Sequence, residues 1–446
     1  MKKIQLRTEI PGPRSREVVA EEQRHLSPGL QGFALWAGVA MARGEGSTLT
    51  DVDGNVYVDL IGGIGVNALG HCHPKYVAAL QRQAETLTVG SFTSEPRAKL
   101  VNEVCAMAPA GLDRLQLYSG GAEAVESALR LARQHTGRPE VVSFWGGFHG
   151  KTAGAAALLG TPARAGLGPL PANATQIPFA DCYRCPFRLE RASCDLACAD
   201  FARKAIKAQP AGPVAAVILE PMQGTAGNVV PPPEFTAAVA EAAHEVGALF
   251  IADEMICGFG RTGKPWGVAH SGARPDIVTL GKGFGSGFPV AGVLTRDDIA
   301  QAKPWSNPSG ASSSYGGNPF AAAAALASVS IIRQERLWEN AERVGAALLA
   351  ELRRMQERHP FIGKVDGAGL FIGVELVKDR KTKEPLDGKL MQQVYRDCVR
   401  KGLLAMSYSP HLRLQPALTI DAPTALEGLG ALDEVFAELT RSGAWR

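Results

Sequence analysis

Asp253 closes the apolar run "ALFIADE" (248–254), and Lys282 closes "DIVTLGK" (276–282), ahead of the glycine-rich "GFGSGFP". A third run, "RLQLYSGGAEA" (114–124), turns through glycines into a helix-like stretch. A carboxylate, an amine and a glycine-lined helix start form a chemical set. The N–H groups and dipole of a helix N-terminus favour an anion such as phosphate. An amine condenses with an aldehyde. A carboxylate holds a pyridine nitrogen protonated, which makes the ring an electron sink. Together they suit pyridoxal 5′-phosphate. Each part alone is weak, since lysines beside glycine are commonly surface loops and "SGG" is short. Their joint placement at strand ends carries the reading, because open α/β sheets bind ligands there.

Four of the eight cysteines crowd into "DCYRCPFRLERASCDLACAD" (181–200): Cys182, Cys185, Cys194 and Cys198. Thiols so spaced could grip zinc or an iron–sulfur cluster, form disulfides, or pack as small hydrophobes. Only one end matches the paired C-x-x-C pattern of a zinc knuckle. The stretch lies outside the three strand ends. The expectation is a braced surface excursion, with no metal assigned to it.

The elements that must position the chemical set alternate along the middle of the chain. "RLQLY", "EVVSFW" (140–145), "VAAVILE" (214–220), "ALFIADE" and "DIVTLGK" read as buried strands. "AEAVESALRLARQH" (122–135) and "PPEFTAAVAEAAHEVG" (232–247) have helical spacing. This alternation implies an α/β layer with a mainly parallel sheet. Two long helical runs follow, beginning near Gly317 and within "NAERVGAALLAELRRMQERHP". "GAGLFIGVELV" (367–377) and "LRLQPALTI" (412–420) then read as strands of a smaller α+β domain. "TLTDVDGNVYVDL" gives the first sixty residues a strand-like piece of their own.

A chain of 446 residues is long enough for two domains and a large core. At 46% hydrophobic and 20% charged it is neither disordered nor collagen-like. A net charge of +3 argues for no nucleic-acid and no membrane partner. "MKKIQLRTEIPGPRS" starts basic but lacks the apolar run of a secretory signal. "FALWAGVAMA" and "AAAAALASVSII" are too short to span a bilayer. A cytoplasmic protein with reduced thiols is expected.

"LFIADEMICGFGRTGKPWGVAHSGARPDIVTLGKGFGSGFPVAGVL" (249–294) resembles the signature of class III pyridoxal-phosphate aminotransferases. "YSGGAEAVESALRLAR", "FWGGFHGKT", "VILEPMQGTAG" and "SYGGNPFAAAAAL" resemble the family's other landmarks, in the family's order. The resemblance runs from about Gly44 to the end. It implies the α/β type I aminotransferase fold: a large domain with a mainly parallel central sheet, plus a smaller α+β domain. The divisions implied are an N-terminal segment (1–65) packing with the small domain, a large cofactor domain (66–330) and a C-terminal small domain (331–446). A homodimer with shared active sites is implied, alone or paired into tetramers.

Carried over, the resemblance makes Lys282 the Schiff-base (aldimine) lysine and proton shuttle, and sets Asp253 against the pyridine nitrogen. Gly120, Gly121 and Ala122 would hold the phosphate through backbone N–H groups. Phe148 would stack on the ring, and Glu220 would support the cofactor site. Ser314, where the family usually has Thr, would reach the phosphate bound by the other subunit. Arg413 matches the arginine for the substrate carboxylate, whose planar fork suits that group.

Several positions depart from the best-known branches. The 4-aminobutyrate and ornithine enzymes carry Glu in "QGEGG", which masks the arginine; here Thr225 stands in "QGTAG". Lys151 in "HGKT" replaces their second substrate arginine. Ile256 stands where many members have Gln; apolar residues occur there in amine and ω-amino-acid:pyruvate transaminases. Ile64 in "GGIGV" walls the pocket or packs the core. The implied reaction moves an amino group from an amine or (ω-)amino acid to a 2-oxo acid. Racemisation (or epimerisation) and 2,2-dialkylglycine decarboxylation use the same Schiff base, and "GVELVKDRKTKEPLDG" (373–388) resembles both groups. A noncatalytic binder would have to keep Lys282 and Asp253 without turnover.

Overall fold

Strands buried on both faces belong in a parallel sheet covered by helices, and residues 75–336 build such a unit. The computed structural model describes residues 2–209 and 211–446. The strands of this unit are β1 (Arg114–Tyr118), β2 (Glu140–Phe144), β3 (Ala174–Ile177), β4 (Val214–Leu219), β5 (Leu249–Asp253), β6 (Ile277–Leu280) and β7 (Ala291–Thr295). Their spatial order is β1-β7-β6-β5-β4-β2-β3. β2 to β6 run parallel. β7 is antiparallel to both β6 and β1. β4 is buried at every position, which its sequence "VAAVIL" makes affordable only between two helical layers.

The helices used below are α1 (Pro74–Ala84), α2 (Glu95–Met107), α3 (Gly121–Thr136), α4 (Ala153–Ala157), α5 (Ala197–Lys207), α6 (Pro233–Glu245) and α7 (Pro319–Gln334). α3 turns Val125, Leu129 and Leu131 onto Ile218, Ile251 and Val293 of the sheet. Burying each such side chain is worth about 1.5–3 kcal/mol. α3 stops at Gly137, which takes a left-handed φ of 68° and returns its N–H to Arg133 O.

The second unit joins residues 2–74 to 337–446. Leu403–Leu404 pairs parallel with Val56–Asp59, so one four-stranded sheet draws on both parts of the chain. A five-stranded sheet includes Ile362–Ala368, Phe371–Asp379, Met406–Tyr408 and His411–Leu414. Helices Leu337–Arg358, Gly388–Arg400 and Ala422–Ser442 complete the unit.

Three expectations need correction. "GAGLFIGVELV" is the end of one strand and most of the next, because Gly369 turns the chain at a φ of 54°. "LRLQPALTI" is strand only to Leu414. Pro416 cannot donate to a ladder, and the backbone there bonds out of register, Gln415 N to Leu60 O and Leu418 N to Ala68 O. Cys198, part of the expected surface excursion, lies instead in the first turn of α5. Among the described residues no helix is long and apolar enough to cross a membrane.

Candidate active site

Asp253 is the last residue of β5, and its register partner on β6 is Thr279. That pairing places a hydroxyl beside the carboxylate: Thr279 Oγ1 donates to Oδ1 at 3.0 Å, and Met255 N donates to the same oxygen at 3.1 Å. The other oxygen lies 2.6 Å from Nδ1 of His149, in the loop after β2. Both side chains are 1% exposed. Burial alone would raise the Asp253 carboxyl, but the His149 hydrogen bond and charge, with the Lys282 charge, hold it below its ordinary range. Burial alone would lower His149, but Asp253 raises it above the ordinary imidazole value. The pair is therefore a buried imidazolium–carboxylate. Such a pair is costly to bury, and it keeps a negative charge ready at the mouth of the sheet.

Glu220 follows β4 and is 5% exposed. Its two oxygens accept from Phe148 N (2.9 Å) and Gly224 N (3.0 Å). Burial, with the Asp253 charge, raises its carboxyl. Glu220 thus pins the backbone that carries half-buried Phe148 to the turn after β4. Ile256 is buried in the turn after β5, where a Cβ on Gly224 would come 3.0 Å from its Cδ1.

The start of α3 faces the same strand ends. Glu123 reaches back to Ser119 N (3.1 Å) and Gly120 N (3.4 Å). Of the expected trio, Gly121 and Ala122 are therefore the residues whose first-turn N–H groups have no acceptor inside the helix. Space above Gly120 is open, since an added Cβ would meet nothing within 4 Å. Gly150, in the Phe148 loop, is packed so closely that a Cβ would lie 2.7 Å from that of Ala122. Glu126, one turn along α3, accepts from Thr152 Oγ1 (2.7 Å), Gly154 N (2.7 Å) and Ala155 N (3.1 Å). It therefore caps α4 and ties the Phe148–His149 loop to α3.

Lys282 follows β6 at a left-handed φ of 47°. Its charge is felt by both Asp253 and His149. A helix N-terminus with open room, a pre-ionised carboxylate and an amine thus stand at strand ends on one edge of the sheet, those of β5 and β6 adjacent and that of β1 one strand further along, beyond β7. These residues fit the phosphate, the ring nitrogen and the aldehyde of pyridoxal phosphate respectively.

Lys151, Thr225 and Ser314 are exposed. Arg413 and Ile64 belong to the second unit. Arg413 is buried, with Nη2 2.9 Å from Met406 Sδ and its guanidinium 5.1 Å from the Tyr408 ring centre. Ile64 occupies a left-handed turn from Gly62 to Gly65 (φ 55–70°) and packs against the Tyr57–Ile61–Met406 cluster. The four clustered cysteines line one cavity of about 20 Å³ with Phe187, Leu189 and Pro232. None of the eight cysteines is joined in a disulfide. Among the described residues no group of three or more His, Cys, Asp or Glu is arranged to hold a metal ion.

His149, Thr279, Glu123 and Glu126 escaped the sequence reading. His149 stood next to Phe148 in "FHG", and its partner lies 104 residues away. Only the strand register could reveal Thr279.

The family model described as aminotransferase class III matches residues 34–436. The leucine/methionine racemase of Thermococcus litoralis is 34% identical over 411 residues, covering 91% of this chain and 92% of that protein. The 5-aminovalerate aminotransferase of Pseudomonas putida is 35% identical over 404 residues, covering 89% and 92%. A solved amine transaminase from an uncultivated Pseudomonas species, in its pyridoxal-phosphate-bound form, superposes with a TM-score of 0.87 at 31% identity, covering 93% and 98%.

Proposed function

The chain belongs to the class III aminotransferases, and on that premise we propose how its own residues carry out the reaction. The family is pyridoxal-phosphate-dependent and has fold type I; its members move an amino group from an amine or amino acid to a 2-oxo acid. Bound pyridoxal phosphate supplies an electron sink for negative charge on the amine-bearing carbon. Lys282 Nζ holds the cofactor between turnovers and carries the proton removed from that carbon. Asp253 presents its charge to the ring nitrogen, and His149 and Thr279 keep it ionised and oriented. Gly121 and Ala122 present N–H groups to the phosphate, with Gly120 leaving the room above them. Phe148 covers one ring face, while Glu220 fixes its backbone. Ile256 makes an apolar wall beside Gly224.

Arg413 is assigned to the carboxylate of the 2-oxo acid, Lys151 to a weaker second attraction, and Ile64 to the pocket wall. With Thr225 in place of a masking Glu, Arg413 is available to a carboxylate in both half-reactions or swings away. Ser314 is assigned to the phosphate held by a second copy. A dimer with shared sites, alone or paired into tetramers, would also cover Leu87, Val89, Phe92 and Tyr315, large apolar side chains left 50–88% exposed. A reducing, cytoplasmic setting, in which thiols stay reduced, completes the reading.

The buried Asp253–His149 pair beside Lys282 is the observation that carries this reading. A panel of amines and amino acids tests it, scored in parallel for oxo-acid formation, racemisation and carbon dioxide release. Oxo-acid formation is expected to dominate. Racemisation is the second reading, favoured by the similarity to the Thermococcus racemase; inversion with the amino group retained would establish it instead.

A further inference from the structure

Lys282 sits in a backbone conformation that a residue with a Cβ enters only at a cost. Its φ is 47°, and Ser286 (46°) and Gly287 (110°) repeat the left-handed turn just beyond. Strain of this kind persists only where the surroundings over-determine it. Four carbonyl groups between Gly281 and Gly285 show what does so here, three of them held from within the turn. Gly281 O accepts from Phe284 N at 3.0 Å. Lys282 O accepts from Gly285 N (3.0 Å) and Ser286 N (3.2 Å). Gly285 O accepts from Phe288 N at 3.0 Å.

Two further bonds come from outside the turn. Ser328 on α7 donates its hydroxyl to Gly283 O at 2.9 Å. Tyr76 on α1 donates its hydroxyl to Gly285 O at 2.6 Å, from 209 residues away in sequence. Ser328 is fully buried. Burial pushes the Tyr76 phenol up to about 12, against a weaker opposing bond from the Phe288 backbone, so it stays a donor at working pH. Between the two clamped carbonyls, Phe284 is stacked on Phe259 with ring centres 5.2 Å apart.

We propose that Tyr76 and Ser328 are positioning residues, whose hydroxyls clamp the Gly285 and Gly283 carbonyls and so hold Lys282 in its left-handed conformation. Neither touches a reacting atom. The clamp fixes where the Lys282 side chain leaves the backbone, and so where its amine reaches. Small misplacements of a reacting group cost large factors in rate. The proposal rests on Lys282 being the cofactor-holding lysine.

The test uses holoenzyme: wild type, Tyr76→Phe, Ser328→Ala and the double variant. Each single change is expected to lower kcat about tenfold, with KM for donor and acceptor within about twofold. Each is also expected to shift the pH midpoint of the cofactor's visible absorbance, which reports the proton at the lysine–cofactor bond. Releasing either carbonyl frees the same backbone, so the double variant should lose about as much as the worse single one, not the product. A lower Tm with kcat and the absorbance titration unchanged would make both hydroxyls merely structural and overturn the clamp. Multiplying losses would overturn it as a shared device. Tyr76→Phe removes one oxygen from a half-buried ring, so it decides the matter alone if Ser328→Ala does not fold. Borohydride reduction and peptide mapping of wild type separates the two layers. Cofactor on Lys282 with unaltered variants overturns the clamp alone. Cofactor elsewhere overturns the functional reading and the clamp with it.

Discussion

At the scale of single residues, the chemistry concentrates in charges that the fold stabilises in advance. Asp253→Asn keeps the shape but removes the charge that faces the ring nitrogen. Turnover should fall about 10²–10³-fold, the usual cost of losing one preorganised electrostatic group, while cofactor is still bound; steady-state rates and the absorbance spectrum check both. The pair also sets a pH dependence for the cofactor-free protein. His149 is raised in the fold, so its contribution is present below its unfolded value and is lost as pH rises through the folded one. Asp253 is lowered, so its contribution is present above its unfolded value and is lost on acidification through the folded one. Glu220, raised chiefly by burial, and Glu254, raised by burial to about 7, also lose stability as pH rises and they ionise. Taken together these four groups favour the fold most near about pH 4, between the ordinary values of Asp and Glu, so their contribution to Tm should fall on both sides, gradually as the glutamates ionise and further above about pH 6.5 as His149 loses its proton. In His149→Ala the alkaline fall should be shallower. Lys282 and Asp253 were legible in the sequence because each ends an apolar run. His149 and Thr279 were not, because their roles depend on how segments far apart in the chain fall into register.

At the scale of elements, the site depends on how helices are started and loops are capped. Glu126 ends three donor groups of the Thr152–Ala155 segment at one oxygen. Glu126→Ala should cost about 1–2 kcal/mol of stability, as lost caps do, and should loosen the loop bearing Phe148 and His149; urea unfolding and cofactor dissociation rates measure the two effects. The cysteine segment makes the opposite case. Its four thiols share a small apolar-lined cavity and lie outside the strand-end cluster. Replacing all four with Ser should lower Tm yet leave turnover per folded protein nearly unchanged. Stoichiometric zinc or iron, lost together with activity in that variant, would show that the segment does chemistry. The alternating strands and helices of 114–282 were legible because buried parallel strands and amphipathic helices have different periods. The hairpin at Gly369 and the break at Pro416 were missed because an apolar run reads as one strand until its turn residues are weighed.

At the scale of the whole molecule, one copy carries Lys282 and exposes Ser314. If Ser314 serves the phosphate of a second copy, Lys282→Ala and Ser314→Ala subunits should complement each other. Mixed dimers then contain one site with an intact lysine and an intact serine, and tighter cofactor binding should return on mixing. Failure to complement would place Ser314 outside the partner's site. The most direct single measurement remains borohydride reduction of the pyridoxal-phosphate-loaded protein, followed by mass mapping of its peptides. The expected result is one cofactor per chain, on the peptide containing Lys282, and none in Lys282→Ala. A cofactor fixed to another lysine, or an unlabelled chain that still transaminates, would contradict the assignment on which the rest stands.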